Sequence, residues 1–195
     1  MEILKFVTVT ALVAAASLFM ISKIRKINNC KNDETDGAVR HRINKKAPQT
    51  IKSRDITFFS CCFSAFGMLE EDTHLAGKNY TLEAKLENDV AVCSYASRYR
   101  GTGISNIRFT SDVSIMTELQ KIVAEYDFAQ HNGYYYHISG LPDMYGMELS
   151  VCYASGESIS AANNQSIFLP ITAHEELESL FLRRAESSAR DTTDK

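Results

Sequence analysis

Between His131 and Gly146 the chain reads HNGYYYHISGLPDMYG, four tyrosines and two histidines in sixteen residues. A histidine can carry a proton, and a tyrosine offers a broad ring with a polar tip to a partner. Acid–base catalysis asks for more: a carboxylate that holds the imidazole, beside a nucleophile or a polarised carbonyl. No spacing in the sequence supplies that pair. Tyr134, Tyr135, Tyr136, His137 and Tyr145 are therefore the candidate binding residues, as an aromatic contact patch, and no residue is assigned a catalytic role.

The remaining chemistry-bearing residues narrow the field. Five cysteines, Cys30, Cys61, Cys62, Cys93 and Cys152, form neither a CxxC nor a Cys/His pattern, so reduced, packed thiols are expected and neither metal nor cofactor is implied. There is no phosphate-binding glycine loop, no HExxH and no GxSxG. His74, His131 and His174 fall in expected loops or at a helix start, where exposed histidines are ordinary.

Around the tyrosine stretch, hydropathy period places the elements. ITFFSCCFSAF (Ile56 to Phe66) reads as a strand buried on both faces, with Phe59, Cys61 and Phe63 on one side and Phe58, Ser60 and Cys62 on the other. The vicinal thiols then point apart. YTLEAKLENDVAVCSY reads as a hairpin turning at Asn88-Asp89, which sets Leu86 opposite Ala91, Ala84 opposite Cys93 and Leu82 opposite Tyr95. Asn106 to Phe109 adds a further strand. Met116, Leu119, Ile122, Val123 and Tyr126 recur at helical spacing, capped by Ser111 or Asp112. Gly133 suits a left-handed stop after that helix, Tyr134 to Ser139 should be extended, and Leu141-Pro142-Asp143 makes a turn. MELSVCYASGESISAAN is a second hairpin around Ser155-Gly156. TAHEELESLFLRR opens with Thr172 and Glu175 at capping-box spacing and carries Leu177, Leu180 and Phe181 as its apolar stripe.

The fold class expected from this order is α+β: an antiparallel sheet built from hairpins, with two helices packed on one face, preceded by an N-terminal transmembrane helix. The seventeen uncharged residues FVTVTALVAAASLFMIS between Lys5 and Lys23 carry that last expectation. As a helix they cover roughly 25 Å, and the flanking lysines extend the reach. A cleaved signal ending near Ala14 to Ser17 competes, although apolar sequence continues past it.

Charge divides the chain sharply. Residues 23–54 carry ten Lys/Arg against three acids, net +7, whereas residues 55–195 carry ten against twenty, net −10. An acidic domain has no basic face for phosphates, so nucleic acid is not an expected partner. The expected organisation is an anchor at 1–24, a basic flexible linker at 25–54, an α+β domain at 55–185 and a disordered tail at 186–195. Basic residues crowding the C-terminal flank of the apolar run place the domain on the cytoplasmic side of a cell membrane, single-pass. The order of anchor, tether and small domain resembles that of many bacterial envelope proteins, which points instead to the extracytoplasmic side.

The expected function is a membrane-tethered, non-catalytic interaction domain, whose partners are the lipid bilayer through the N-terminal helix and a protein. Two alternatives stay open: a small hydrolase or transferase using a His or Cys near the tyrosines, and an exported envelope domain released by signal cleavage.

Overall fold

Asn88 and Asp89 turn the chain with both residues in the left-handed region, φ 49° and 64°, a conformation these short polar side chains tolerate. The turn fixes the register of its hairpin, strands β3 (Lys78–Glu87) and β4 (Val90–Tyr99): Leu86 faces Ala91, Ala84 faces Cys93 and Leu82 faces Tyr95. The expected pairing is the observed one. The computed structural model describes residues 37–67, 73–99, 104–141 and 145–193. The apolar run of residues 6–22 lies outside these, as does the turn at Pro142 and Asp143.

The other strands are β1 (Val39–Ile43), β2 (Ile56–Ser64), β5 (Ile104–Ser111), β6 (Tyr134–Ile138), β7 (Gly146–Tyr153) and β8 (Ser158–Asn163). Among the described residues the helices are α1 (Ser114–Glu125) and α2 (Ile171–Thr193), and Phe128–His131 forms a 3₁₀ turn. The fold is α+β, with one eight-stranded sheet in the order β1-β6-β8-β7-β2-β3-β4-β5. The sheet is mixed, which corrects the antiparallel expectation: β6 runs parallel to β8 through Tyr135 with Ala162 and Tyr136 with Asn163. β8 lies between β6 and β7, which run in opposite directions, and since it pairs antiparallel with β7 it runs parallel to β6. Where β8 ends, the Asn164 side chain continues the ladder, accepting from the Ile138 N–H and donating to the Ile138 carbonyl, both at 2.9 Å.

The stretch expected to be a linker is partly structured. Val39, His41 and Ile43 alternate with Arg40 and Arg42, and this period of two lets β1 pair with β6 from Val39–Ile138 to Ile43–Tyr134. The end expected to be a tail is helical too, since α2 continues past Ala185 to Thr193.

Side chains of alternate parity bury one face of the sheet: Phe59, Cys61 and Phe63 on β2, Leu82 and Ala84 on β3, Leu149 and Val151 on β7. Phe58, Ser60 and Cys62 are only half-buried on the other face, so the vicinal thiols do point apart. Phe181 of α2 meets Phe59 and Phe109 at ring separations of 6.4 and 6.3 Å. Truncating one such ring costs about 3–5 kcal/mol, comparable to the whole net stability of many domains, so this face dictates the register. Asp112 accepts the Ser114 N–H at 2.8 Å and starts α1. The capping box expected at Thr172 is absent: α2 begins at Ile171, after Pro170, and Glu175 is bonded elsewhere. The two helices are tied by Arg183, 2.7 Å from Glu118, and by Arg184, which reaches Glu118 and Asp112.

Candidate functional site

The tyrosine segment lies one strand in from the sheet edge, covered on its outer side by β1. Period-two alternation sorts its rings. Tyr134 and Tyr136 share a face, and the imidazole of His41 stands edge-on to both, at 5.9 Å from each ring. Tyr134 also meets Phe168 edge-on at 6.0 Å, and Asn163 donates to its hydroxyl at 3.1 Å. On the opposite face Tyr135 stacks on His137 at 6.3 Å, with Arg42 and Arg40 of β1 as their respective cross-strand partners. Tyr145 stands apart from this group, its hydroxyl donating to the carbonyl of Gly67. The five expected binding residues therefore do not form one patch: Tyr134 and Tyr136 lie on one face of β6, Tyr135 and His137 on the other, and Tyr145 is elsewhere.

Among the described residues no strand lies beyond β1, and one face of that strand carries aliphatic side chains. Val39 is 58% exposed and Ile43 59% exposed, on either side of His41. Both lie on the face of Tyr134 and Tyr136, so a band of half-buried rings is rimmed by aliphatic side chains in water. Among the described residues no carboxylate lies within ion-pair distance of His137. Burial pushes the Cys61 thiol far above the usual range and lifts Cys62 and Cys152 as well.

A second polar constellation was not anticipated from the sequence. His174, expected to be exposed, is fully buried, because it sits on the same helical stripe as Leu177 and Phe181. Its ring packs on Phe63 at 3.9 Å and its Nδ1 is 2.9 Å from the Tyr80 hydroxyl. Burial holds its pKa down at about 3, so the imidazole is neutral; its Nε2 has no hydrogen-bond partner. One turn on, the Glu178 carboxylate is 2% exposed and accepts from Tyr95 at 2.7 Å and from the Lys78 ammonium at 3.2 Å. Burial, reinforced by that carboxylate, pushes the Tyr95 phenol up to about 12. The spacing 174, 177, 178, 181 was the signal available in the sequence: two polar residues falling on the buried stripe.

His74 closes this cluster from the outside. Its Nδ1 lies 3.2 Å from Glu175 and its Nε2 3.5 Å from Glu178, while Thr73 donates to Glu175 at 2.7 Å. A carboxylate thus stands opposite each ring nitrogen, at the mouth of the cluster. Beyond it, an open groove of about 620 Å³ runs between α1 and α2, lined among others by Lys121, Thr172, Glu176 and Arg183. Among the described residues no group of three or more His, Cys, Asp or Glu is arranged to hold a metal ion, and no helix is long and apolar enough to cross a membrane.

No protein-family model matches the chain, and comparisons with curated proteins and with solved structures give no significant match.

Proposed function

We propose that this protein is a membrane-tethered, non-catalytic interaction domain that presents the β1–β6 edge of its sheet to a protein partner. One observation carries the reading: Val39 and Ile43 stand in water beside His41, Tyr134 and Tyr136. Scattered exposed aliphatics are ordinary, but a contiguous aromatic and aliphatic band at a sheet edge is the composition of a contact surface. Tyrosine and histidine rings give it area at a small cost in side-chain entropy.

The tether is the uncharged run of residues 6–22, read as a membrane-spanning helix ahead of a sheet whose two helices share one face. Its basic C-terminal flank favours a cytoplasmic domain. A hydrolase or transferase built on the tyrosine segment draws no support from the geometry, since His137 is stacked on a strand and the nearby thiols are held protonated by burial.

Two measurements test the proposal. A photo-crosslinking side chain at Val39 or Tyr136 of the full chain, expressed in cells, should yield a protein adduct of defined mass, and one at Val92, near the far edge, should not. Equal or absent labelling at the two places would remove the edge as the contact surface. For the side of the membrane, a variant retaining only Cys30 should react with an impermeant maleimide after lysis and not in intact cells; reaction in intact cells would move the domain outside.

A further inference from the structure

The ladder between β1 and β6 determines which backbone groups of the edge remain open. The Asn44 N–H bonds to the Gly133 carbonyl and the Ser139 N–H to the Ala38 carbonyl, in line with the β1–β6 register. In an antiparallel pair such contacts alternate, so even-numbered residues of β1 turn their backbone groups towards β6. Val39, His41 and Ile43 turn theirs outward. No strand among the described residues lies beyond β1.

An open edge invites another strand, and the first to consider is a second copy of β1. Its side chains oppose that. In VRHRI the basic positions are Arg40 and Arg42. Every antiparallel register that pairs three or more of these residues with faces matched sets an arginine against an arginine, and like charges directly opposite one another are destabilising. The same two side chains attract a strand with carboxylates at alternate positions. Its intervening side chains then fall beside Val39, His41 and Ile43, on the apolar band.

Resting on the interaction reading above, we propose that β1 accepts an extended acidic segment of a partner protein as a ninth strand, with acidic and apolar side chains in alternation. Backbone bonds to the outward groups of Val39, His41 and Ile43 supply affinity, and Arg42 with Arg40 selects the sign of the charge. The arginines serve two purposes: they guard the edge against its own kind and choose a partner of opposite charge.

The test uses the full chain in nanodiscs of zwitterionic lipid, with fluorescent short peptides as probes. A peptide alternating glutamate with valine should bind. The same composition with its glutamates and valines in separate blocks, and an alternating lysine–valine peptide, should bind on the order of tenfold more weakly or not at all. Arg40→Glu with Arg42→Glu should invert the preference between the acidic and basic alternating peptides. His41→Pro removes an outward N–H and leaves the β6 ladder in place, so it should weaken both alternating peptides on the order of tenfold; thermal unfolding checks that this variant stays folded. Equal binding of blocked and alternating peptides, or indifference to His41→Pro in the folded protein, would overturn strand addition in favour of charge attraction alone. So would binding that appears only on phosphatidylserine vesicles. A crosslinked partner at Val39 with no peptide binding would sink this proposal and leave the contact surface standing, whereas failure of both would sink both.

Discussion

The Tyr80 phenol and the His174 imidazole meet at 2.9 Å, and neither side chain has any exposed surface. A neutral imidazole in that place makes stability depend on acidity. His174 takes up a proton near its ordinary value of 6.5 in the unfolded chain but only near 3 in the folded one. Between those values the unfolded state binds more protons, so stability falls as pH drops from about 6.5 towards 3 and this contribution levels off below. Urea titrations across that range should show a loss of a few kcal/mol. Tyr80→Phe with His174→Leu removes both partners together, which avoids stranding either one. The double variant should show a shallower pH slope, and an unchanged slope would mean that His174 does not titrate as its burial implies.

The buried Glu178 carboxylate holds two donors, the buried Tyr95 and the half-buried Lys78. Removing the acceptor strands the buried Tyr95 hydroxyl and leaves Lys78, which reaches water, without its partner, so Glu178→Leu should cost about 1–3 kcal/mol in denaturant unfolding. Adding Lys78→Met and Tyr95→Phe removes the stranded groups and should recover most of the loss. A triple variant as unstable as the single one would show that shape, and not the unpaired charge, sets the cost.

Both helical and sheet periods were legible where one face is uniformly apolar, and illegible where it is not. The Asn88-Asp89 turn, the pairing of Leu82 with Tyr95 and the opposed Cys61 and Cys62 follow from alternation alone. β1 escaped because its apolar residues Val39 and Ile43 are exposed and its neighbours are basic, so the segment has the composition of a tether. His41, which completes the aromatic band, went unnoticed with it. His174 and Glu178 were hidden by residue type: both are polar, and only their shared stripe with Leu177 and Phe181 reveals that they are inside. The parallel β6–β8 pair depends on β8 lying between β6 and β7, which no local pattern encodes.

Gly133 joins β1 to the rest of the sheet under two constraints. Its φ is +82°, and a Cβ there would lie 2.7 Å from the Ala47 side chain and 2.9 Å from the Asn44 carbonyl. Gly133→Ala should cost on the order of 2 kcal/mol through strain and crowding together. It should also speed hydrogen exchange of the Asn44 amide, which bonds to the Gly133 carbonyl. Gly156 has a similar φ of +87° with nothing near its Cβ position, so Gly156→Ala measures strain alone and should cost less. Equal costs would place the whole effect in the backbone angle.

The thiols differ in the same way as their faces. Burial lifts Cys93 to about 12 and Cys61 higher still, whereas Cys62 and Cys152 are half-buried. Since the thiolate is the reactive form, mass spectrometry after brief alkylation at mildly alkaline pH should find Cys61 and Cys93 modified only once the protein unfolds. Modification of Cys61 in the native state at a rate matching Cys62 would contradict its place in the core.

The position of β1 also sets an order of events during synthesis. β2 to β5 are neighbours in sequence and in the sheet, so they can assemble as they emerge, but β1 pairs with a strand about a hundred residues downstream. At ribosomal speeds of roughly 5–20 residues per second, β1 waits several seconds or more for β6. β1 is therefore without its sheet neighbour while β2 to β5 and α1 are translated, and its two arginines repel other nascent copies throughout that interval.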